Sequence, residues 1–296
     1  MLARMLRFTI ALQLLGGAAL GFWVTIQLAS AWTLLGMVVV ALALPLLVAV
    51  LADVYTCSVS RAKEPAAAWW RSLLGESWAG IQVFLLRQPW AFAPPRIQPA
   101  LGNPARIPVL LVHGYVCNHR LWDAITPALR AQGHTVLAIN LEPVFTSIDD
   151  YAPLVEQAVQ ALRLHTGQEQ VALVGHSMGG LAIRAWMRRY GTAQAARAIT
   201  LGTPHAGTQI NAVFSTPNAL QMAWHSDWLT ELAASETDAS RSLFRVALSP
   251  QDNIVYPQRA QTLPDVVPTV FEGLGHLQLC TAPQVRVWLC QELALL

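Results

Sequence analysis

Val171-Ala172-Leu173-Val174-Gly175-His176-Ser177-Met178-Gly179-Gly180 is the stretch on which the fold turns. Its first four residues are apolar and Val-rich, the pattern of a buried strand. Leu181-Ala182-Ile183-Arg184-Ala185-Trp186, which follows, reads as a helix. Between them, Gly175-x-Ser177-x-Gly179 predicts a sharp turn from strand into helix, the setting of a nucleophile elbow. A turn that tight strains the serine backbone, and side chains at 175 or 179 would collide with the neighbouring strand and helix. The serine hydroxyl is then held above the sheet at a helix N-terminus, where N–H groups and the helix dipole favour developing negative charge. An incidental Gly-rich turn is the alternative, and the flanking strand and helix argue against it.

The 296 residues are 54% apolar and only 12% charged, with a net charge of +2; the charged share is about half that of an ordinary soluble domain. A mean hydropathy of +0.41 points the same way, toward a membrane. The small net charge and the absence of basic runs give no argument for nucleic acid. Cys57, Cys117, Cys280 and Cys290 form no CxxC pair, so neither a metal site nor a redox motif is expected. Cys280 and Cys290 are read either as buried thiols or, in an oxidising compartment, as a disulfide.

Residues 8–28 and 31–52 carry no charge, and each supplies the roughly 20 apolar residues that a membrane span needs. Ala29-Ser30 separates them, so residues 1–60 are expected to form a tight transmembrane hairpin, with Pro45 tolerated in its second helix. Gly16-Gly17 and Gly21 are the positions where two backbones can approach closely. A cleaved signal peptide is the competing reading, since Ala29-Ser30-Ala31 resembles a cleavage site; against it, the apolar run exceeds the usual core of about 7–15 residues and a second run follows at once. Arg4 and Arg7 precede the hairpin, and Arg61, Lys63 and Arg71 follow it. The positive-inside rule therefore places both ends, and the rest of the chain, in the cytoplasm of a bacterial-type cell. Residues 61–106 read as a juxtamembrane connector. Its Trp69, Trp70, Trp78 and Trp90 suit either a membrane interface or the cover of a globular domain. Ala93-Pro94-Pro95-Arg96 and Gly102-Asn103-Pro104 are turns that mark entry to the folded domain.

From residue 107 the pattern alternates. Strands are expected at 108–112, 135–140, 171–174, 196–201, 244–248 and 267–271. Helices are expected at 119–131, at 148–164 with Ser147 as N-cap, after Ser177 as far as Tyr190, and at 282–295. Near-continuous apolar strands joined by helices argue for a mostly parallel, doubly wound sheet.

A serine needs a base to become nucleophilic, and the base needs an orienting acid. In parallel sheets such groups gather beyond the carboxyl ends of strands. Of eight histidines, His276 is the candidate base, because it follows the last strand in a Gly-rich loop. His134, His165, His119 and His225 are poorly placed, His205 looks structural, and the His176 side chain should point away from the serine. Asp252 immediately follows a strand and is the candidate acid; Asp265 precedes one. The order Ser177…Asp252…His276 is the order associated with this elbow. Candidate oxyanion donors are the N–H groups of Met178 and of Tyr115, with Gly114 permitting close backbone approach and His113 shaping the loop.

Leu111-Val112-His113-Gly114-Tyr115, Gly175-His176-Ser177-Met178-Gly179-Gly180 and Leu201-Gly202-Thr203-Pro204-His205-Ala206-Gly207-Thr208 together resemble the α/β-hydrolase fold, and within it the bacterial lipase/esterase group. Asp252-Asn253-Ile254-Val255 and Gly275-His276-Leu277 extend the likeness, which covers residues 107–296 and not the hairpin. The resemblance implies a serine esterase acting on a lipid or acyl ester with no cofactor and no metal. It also implies a lid-like insertion at about 209–242, where Val213, Phe214, Leu220, Met222, Trp224, Trp228, Leu229 and Leu232 either cover an acyl pocket or pack on the core. The chain departs from secreted lipases in having neither a clear single secretory signal nor a convincing cluster of acidic calcium ligands. Acyl transfer, action on a (lyso)phospholipid, or a non-catalytic membrane scaffold are the alternatives to ester hydrolysis.

Overall fold

The structure, a computed structural model, describes residues 1–28, 32–102, 106–210 and 215–296. The expected turns at Ala29-Ser30 and Asn103-Pro104, and the lid residues Val213 and Phe214, lie outside the described residues.

Helices α1 (Leu2–Gln27) and α2 (Thr33–Val59) are each long and apolar enough to cross a membrane, with mean hydropathies of 1.6 and 2.9 over their most apolar windows. Phe8, Leu15, Trp23, Leu34 and Leu42 project outward and are exposed. The helices run antiparallel and touch through glycine. A Cβ at Gly17 would stand 2.7 Å from Ala41 Cα and Val40 O, and one at Gly21 would stand 2.6 Å from Gly36 O. Gly16 is not part of this contact, because its nearest neighbour would be a Leu44 methyl at 3.9 Å. Pro45 is accommodated inside α2.

Helix α3 (Ala66–Gly80) continues into a π-helical turn (Ile81–Arg87) and a short 3-10 turn (Gln88–Trp90). The two readings of the connector tryptophans divide: Trp69 is buried, whereas Trp70, Trp78 and Trp90 are exposed. Ala79 and Val83 are buried in the same apolar cluster as Leu121, Trp122 and strand residues Val109 and Leu111. The connector therefore packs as part of the sheet domain.

Six strands form one parallel sheet in the order β2-β1-β3-β4-β5-β6: β1 (Val109–Val112), β2 (Val136–Ile139), β3 (Val171–His176), β4 (Ala195–Leu201), β5 (Phe244–Leu248) and β6 (Thr269–Val270). Strand side chains alternate between two cores. Leu110, Val112 and Leu173 face one, and Val109, Leu111 and Val174 face the other. Both faces are covered, which is why the strands read as continuous apolar runs. The last strand is shorter than its apolar pattern.

Two expected helices are divided by proline. Residues 119–131 form a 3-10 turn (His119–Ala124) and then α4 (Thr126–Ala131); residues 148–164 form a 3-10 turn (Ile148–Tyr151) and then α5 (Ala152–Thr166). The helix expected at 282–295 is undivided as α11 (Pro283–Ala294), and a short α10 (Gln278–Thr281) precedes it. In each case a proline occupies the first turn of the later helix, where its missing N–H costs nothing but cannot continue the preceding turn. Ser147 caps as expected, its hydroxyl accepting the Asp149 N–H at 3.3 Å.

Helix α6 (Met178–Tyr190) follows β3 directly. The insertion between β4 and β5 holds α7 (Pro217–Gln221), α8 (Asp227–Ala234) and α9 (Asp238–Ser242). Its base is tied to α6 by Arg184, whose fully buried guanidinium grips both Glu236 oxygens at 2.6 and 3.1 Å and donates to His205 O at 3.2 Å. Leu229 belongs to the core, Leu232 is buried, and Leu220 is exposed. Cys280 and Cys290 are free, buried thiols.

The Gly17 contact has a measurable consequence. Gly17→Val forces the hairpin helices apart and should cost about 1–3 kcal/mol, as overpacking does. Thermal unfolding of the detergent-solubilised chain would show this as a lowered midpoint; an unchanged midpoint would exclude this packing.

Candidate active site

Strand order reverses around β1: the chain passes from β1 out to β2, then back across to β3. At such a switch point the loops leaving neighbouring strands diverge and open a crevice. The loop after β1, His113-Gly114-Tyr115, and the turn after β3 face each other across it. A Cβ at Gly114 would lie 2.7 Å from Ser177 Cβ and 3.3 Å from its Oγ.

Ser177 has φ 54° and ψ −128°, a left-handed conformation that a side chain rarely adopts. Such strain costs on the order of 1–3 kcal/mol and persists only where the surroundings over-determine it. Here the Ser177 N–H donates to Leu201 O at 2.9 Å, and its carbonyl accepts from the Gly180 N–H at 3.0 Å. The flanking glycines are required by contact. A Cβ at Gly175 would be 2.5 Å from Gly180 N, and one at Gly179 would be 2.1 Å from Val112 O. Each is closer than any side-chain carbon stands to backbone.

Asp252 and His276 are joined. His276 Nδ1 donates to Asp252 Oδ2 at 2.8 Å, which leaves Nε2 as the free ring nitrogen. The other carboxylate oxygen accepts from the Ile254 and Val255 N–H groups at 2.9 and 2.8 Å, so the acid cannot rotate away. Burial alone would lower the His276 pKa; the Asp252 charge and hydrogen bond, with the Glu76 charge, outweigh it and raise the value above the ordinary one. Ser177 and His276 line the same cavity, without a hydrogen bond between them among the described residues. Such bonds commonly tighten only when substrate is bound.

Three further histidines have settled roles. His113 Nε2 accepts the Leu141 N–H at 3.0 Å, so Nδ1 carries the proton and donates to Gly114 O at 2.8 Å. Burial pushes its pKa down to about 4, keeping that one-donor, one-acceptor form. Fixing the Gly114 carbonyl turns the Tyr115 N–H of the same planar peptide to the opposite side. Neither that N–H nor the Met178 N–H has a backbone acceptor among the described residues. His205 bonds Thr200 Oγ1 at 3.0 Å inside the core, a structural position. His176 corrects the sequence expectation. Its ring does not turn away from the site but packs on the His276 ring, 4.5 Å between centroids, and Nε2 donates to His276 O at 3.1 Å. The reason is that the β3 end and the last loop converge over the sheet.

Sequence reasoning missed the residues that hold the His276 loop from outside residues 107–296. Glu76 on α3 accepts the Leu277 and Gln278 N–H groups at 2.8 and 3.1 Å. Burial pushes its carboxyl up to about 8. Thr56 on α2 accepts from Asn253 Nδ2 at 2.8 Å, while Asn253 Oδ1 accepts the His276 N–H at 3.1 Å. The one available signal was Asp53, the first charge after the second apolar run, since a charged residue at the end of such a run is costly unless it has a role.

A cavity of about 410 Å³ opens over Ser177 and His276. Its walls include Tyr115 and Ile254 from loops, Met222 from the insertion, Phe84 from the connector and Ala52 from α2. The lining is predominantly apolar, as small-molecule sites are.

Residues 107–244 match the family model of the alpha/beta hydrolase fold. A methylesterase of Arabidopsis thaliana is 34% identical over 91 residues, which cover 28% of this chain and 35% of that protein. A triacylglycerol lipase of Pseudarthrobacter phenanthrenivorans is 34% identical over 113 residues, 35% of each chain. The matches thus span about a third of the length of these curated relatives. Among solved structures, the mature Bacillus licheniformis lipase superposes with a TM-score of 0.56 at 16% identity, covering 65% of this chain and 94% of that one. Aspergillus fumigatus lipase B gives 0.55 at 15% identity, covering 68% and 56%. With its parallel sheet, its turn at Ser177 and this family match, the chain is an α/β-hydrolase-fold protein whose sheet domain follows two apolar helices of membrane-span length.

Proposed function

We propose that the protein is a membrane-anchored serine hydrolase that cleaves carboxylic esters with apolar acyl groups. The observation that carries this reading is the strained Ser177 sharing one apolar cavity with His276, whose ring is bonded to Asp252. In the reaction, His276 Nε2 takes the proton from Ser177 Oγ as that oxygen attacks the ester carbonyl. The oxyanion sits against the Met178 and Tyr115 N–H groups, each worth about 3–4 kcal/mol in such a hole. His276 then protonates the departing alcohol. Water, deprotonated by the same ring, cleaves the acyl-serine and restores the hydroxyl. Asp252 holds the ring in the tautomer this needs and stabilises the imidazolium. The lipase and methylesterase relatives support an ester as substrate.

The hairpin is the anchor. Its first helix is fastened to the sheet domain at its charged end, where Arg7 donates to Pro89 O at 2.8 Å and lies over the Phe92 ring. Both charged ends of the hairpin therefore lie on the catalytic side, which the positive-inside rule assigns to the cytoplasm of a bacterial-type cell membrane. A reporter fused after Leu296 should read as cytoplasmic; a periplasmic signal would overturn this orientation.

Ser177→Ala should lower kcat on a p-nitrophenyl acyl ester by about 10⁶-fold and abolish labelling by a fluorophosphonate, with the fold retained. Full activity in that variant would remove Ser177 from the mechanism. The pH profile tests the base. His276 acts only when neutral, and its pKa lies above the ordinary value of 6.5, so kcat/KM should fall as pH drops through a point above 6.5. Asp252→Asn removes the charge that raises it, so the acid limb should move to lower pH while kcat falls about 10⁴-fold. An unmoved limb would assign it to another group.

A further inference from the structure

We infer that α2 is a wall of the substrate site, and that the site takes the acyl chain of an ester lipid directly from the bilayer leaflet in which α2 stands. This rests on the hydrolase and membrane readings above and names where the substrate comes from. Ala49, Ala52, Asp53 and Thr56 all line the cavity that holds Ser177 and His276. Their spacing of three and four residues puts them on one face of α2. The face is graded: two alanines, then a carboxylate, then a hydroxyl bonded to Asn253. Ala52 is solvent-exposed in the structure although it lines the cavity, so the cavity is open sideways along α2.

Two independent measures place that opening at the membrane boundary. From Thr33, a span of roughly 20 residues at 1.5 Å each, about 30 Å in all, reaches Asp53. On the antiparallel neighbour, the Gly17–Ala41 and Gly21–Met37 contacts set Arg7 level with Leu51. The first charges of both helices thus share one plane. Ala49 lies on its hydrocarbon side, Ala52 at the plane itself, and Asp53 and Thr56 at headgroup depth. A lipid whose ester sits near the interface has its carbonyl on the catalytic side of that plane and its chain against the alanines. The two small residues leave the groove that the chain fills. The end of α2 is locked in place by the Thr56–Asn253 bond and by Gln258 Nε2, which donates both to Ser60 O at 3.0 Å and to Asp252 O at 2.8 Å.

The test uses the full chain in phosphatidylcholine vesicles and two serine-directed probes, ethyl fluorophosphonate and a hexadecyl fluorophosphonate with a diazirine in the first few carbons of the chain, next to the phosphonate. After labelling at Ser177 and irradiation, peptide mapping should find the chain crosslinked to the α2 segment around residues 49–56. In Ala52→Trp and Ala49→Trp the hexadecyl-to-ethyl labelling ratio should fall by about tenfold or more, the scale of blocking an apolar pocket. Val50→Trp, on the exposed side of α2, should leave the ratio as it is. Crosslinks on the insertion around Met222, or an unchanged ratio in both alanine variants, would overturn the inference while leaving the hydrolase reading intact. Absence of labelling by either probe in the unaltered protein would remove the hydrolase reading and the inference together. If a tryptophan variant loses both labels through misfolding, the crosslink position in the unaltered protein decides.

Discussion

Three backbones meeting at contact distance are the constraint on which the site depends. The end of β1, the turn after β3 and the first turn of α6 come so close that Gly114, Gly175 and Gly179 have no room for a Cβ. That crowding holds Ser177 at a positive φ, with its N–H bonded to Leu201 and its hydroxyl over the crevice. The same approach brings the loop after β1 to the N-terminus of α6, where two N–H groups stand without backbone acceptors among the described residues. Interiors are close-packed, so this geometry is held by the sheet behind it and not by the loop alone.

A second level of organisation surrounds His276. Its ring is oriented by Asp252, its own N–H by Asn253, its carbonyl by His176 and the following two N–H groups by Glu76. Buried polar groups are costly unless satisfied, so each of these partners contributes to one loop conformation. Two of the elements involved, α2 and α3, precede the sheet domain in the chain. The hairpin and connector are therefore structural parts of the candidate site.

The division between Arg184 and the insertion follows similar logic. Arg184 is buried on the elbow helix and paired with Glu236, so the base of the insertion is fixed to the element that carries Ser177. Of the apolar residues expected to act as a lid, Met222 lines the cavity while Leu229 packs in the core. The insertion thus contributes one wall of the cavity, opposite in origin to the wall from α2.

The sequence alone determined the elements whose rules are local. Strand positions followed from apolar runs and the turn at Ser177 from Gly175 and Gly179, while Asp252 and His276 were candidates because each follows a strand. Helix starts were less legible, because the prolines at 127 and 153 break turns that apolar periodicity carries through. Tertiary structure decided where His176 faces, and that Glu76 and Thr56 hold the His276 loop. Thr56 and Asn253 are 197 residues apart, and Glu76 and Leu277 are 201 apart. No local pattern encodes such pairs, since they arise only when whole elements dock. A polar residue at the end of an apolar helix has the same signature whether it meets water, headgroups or an active-site loop.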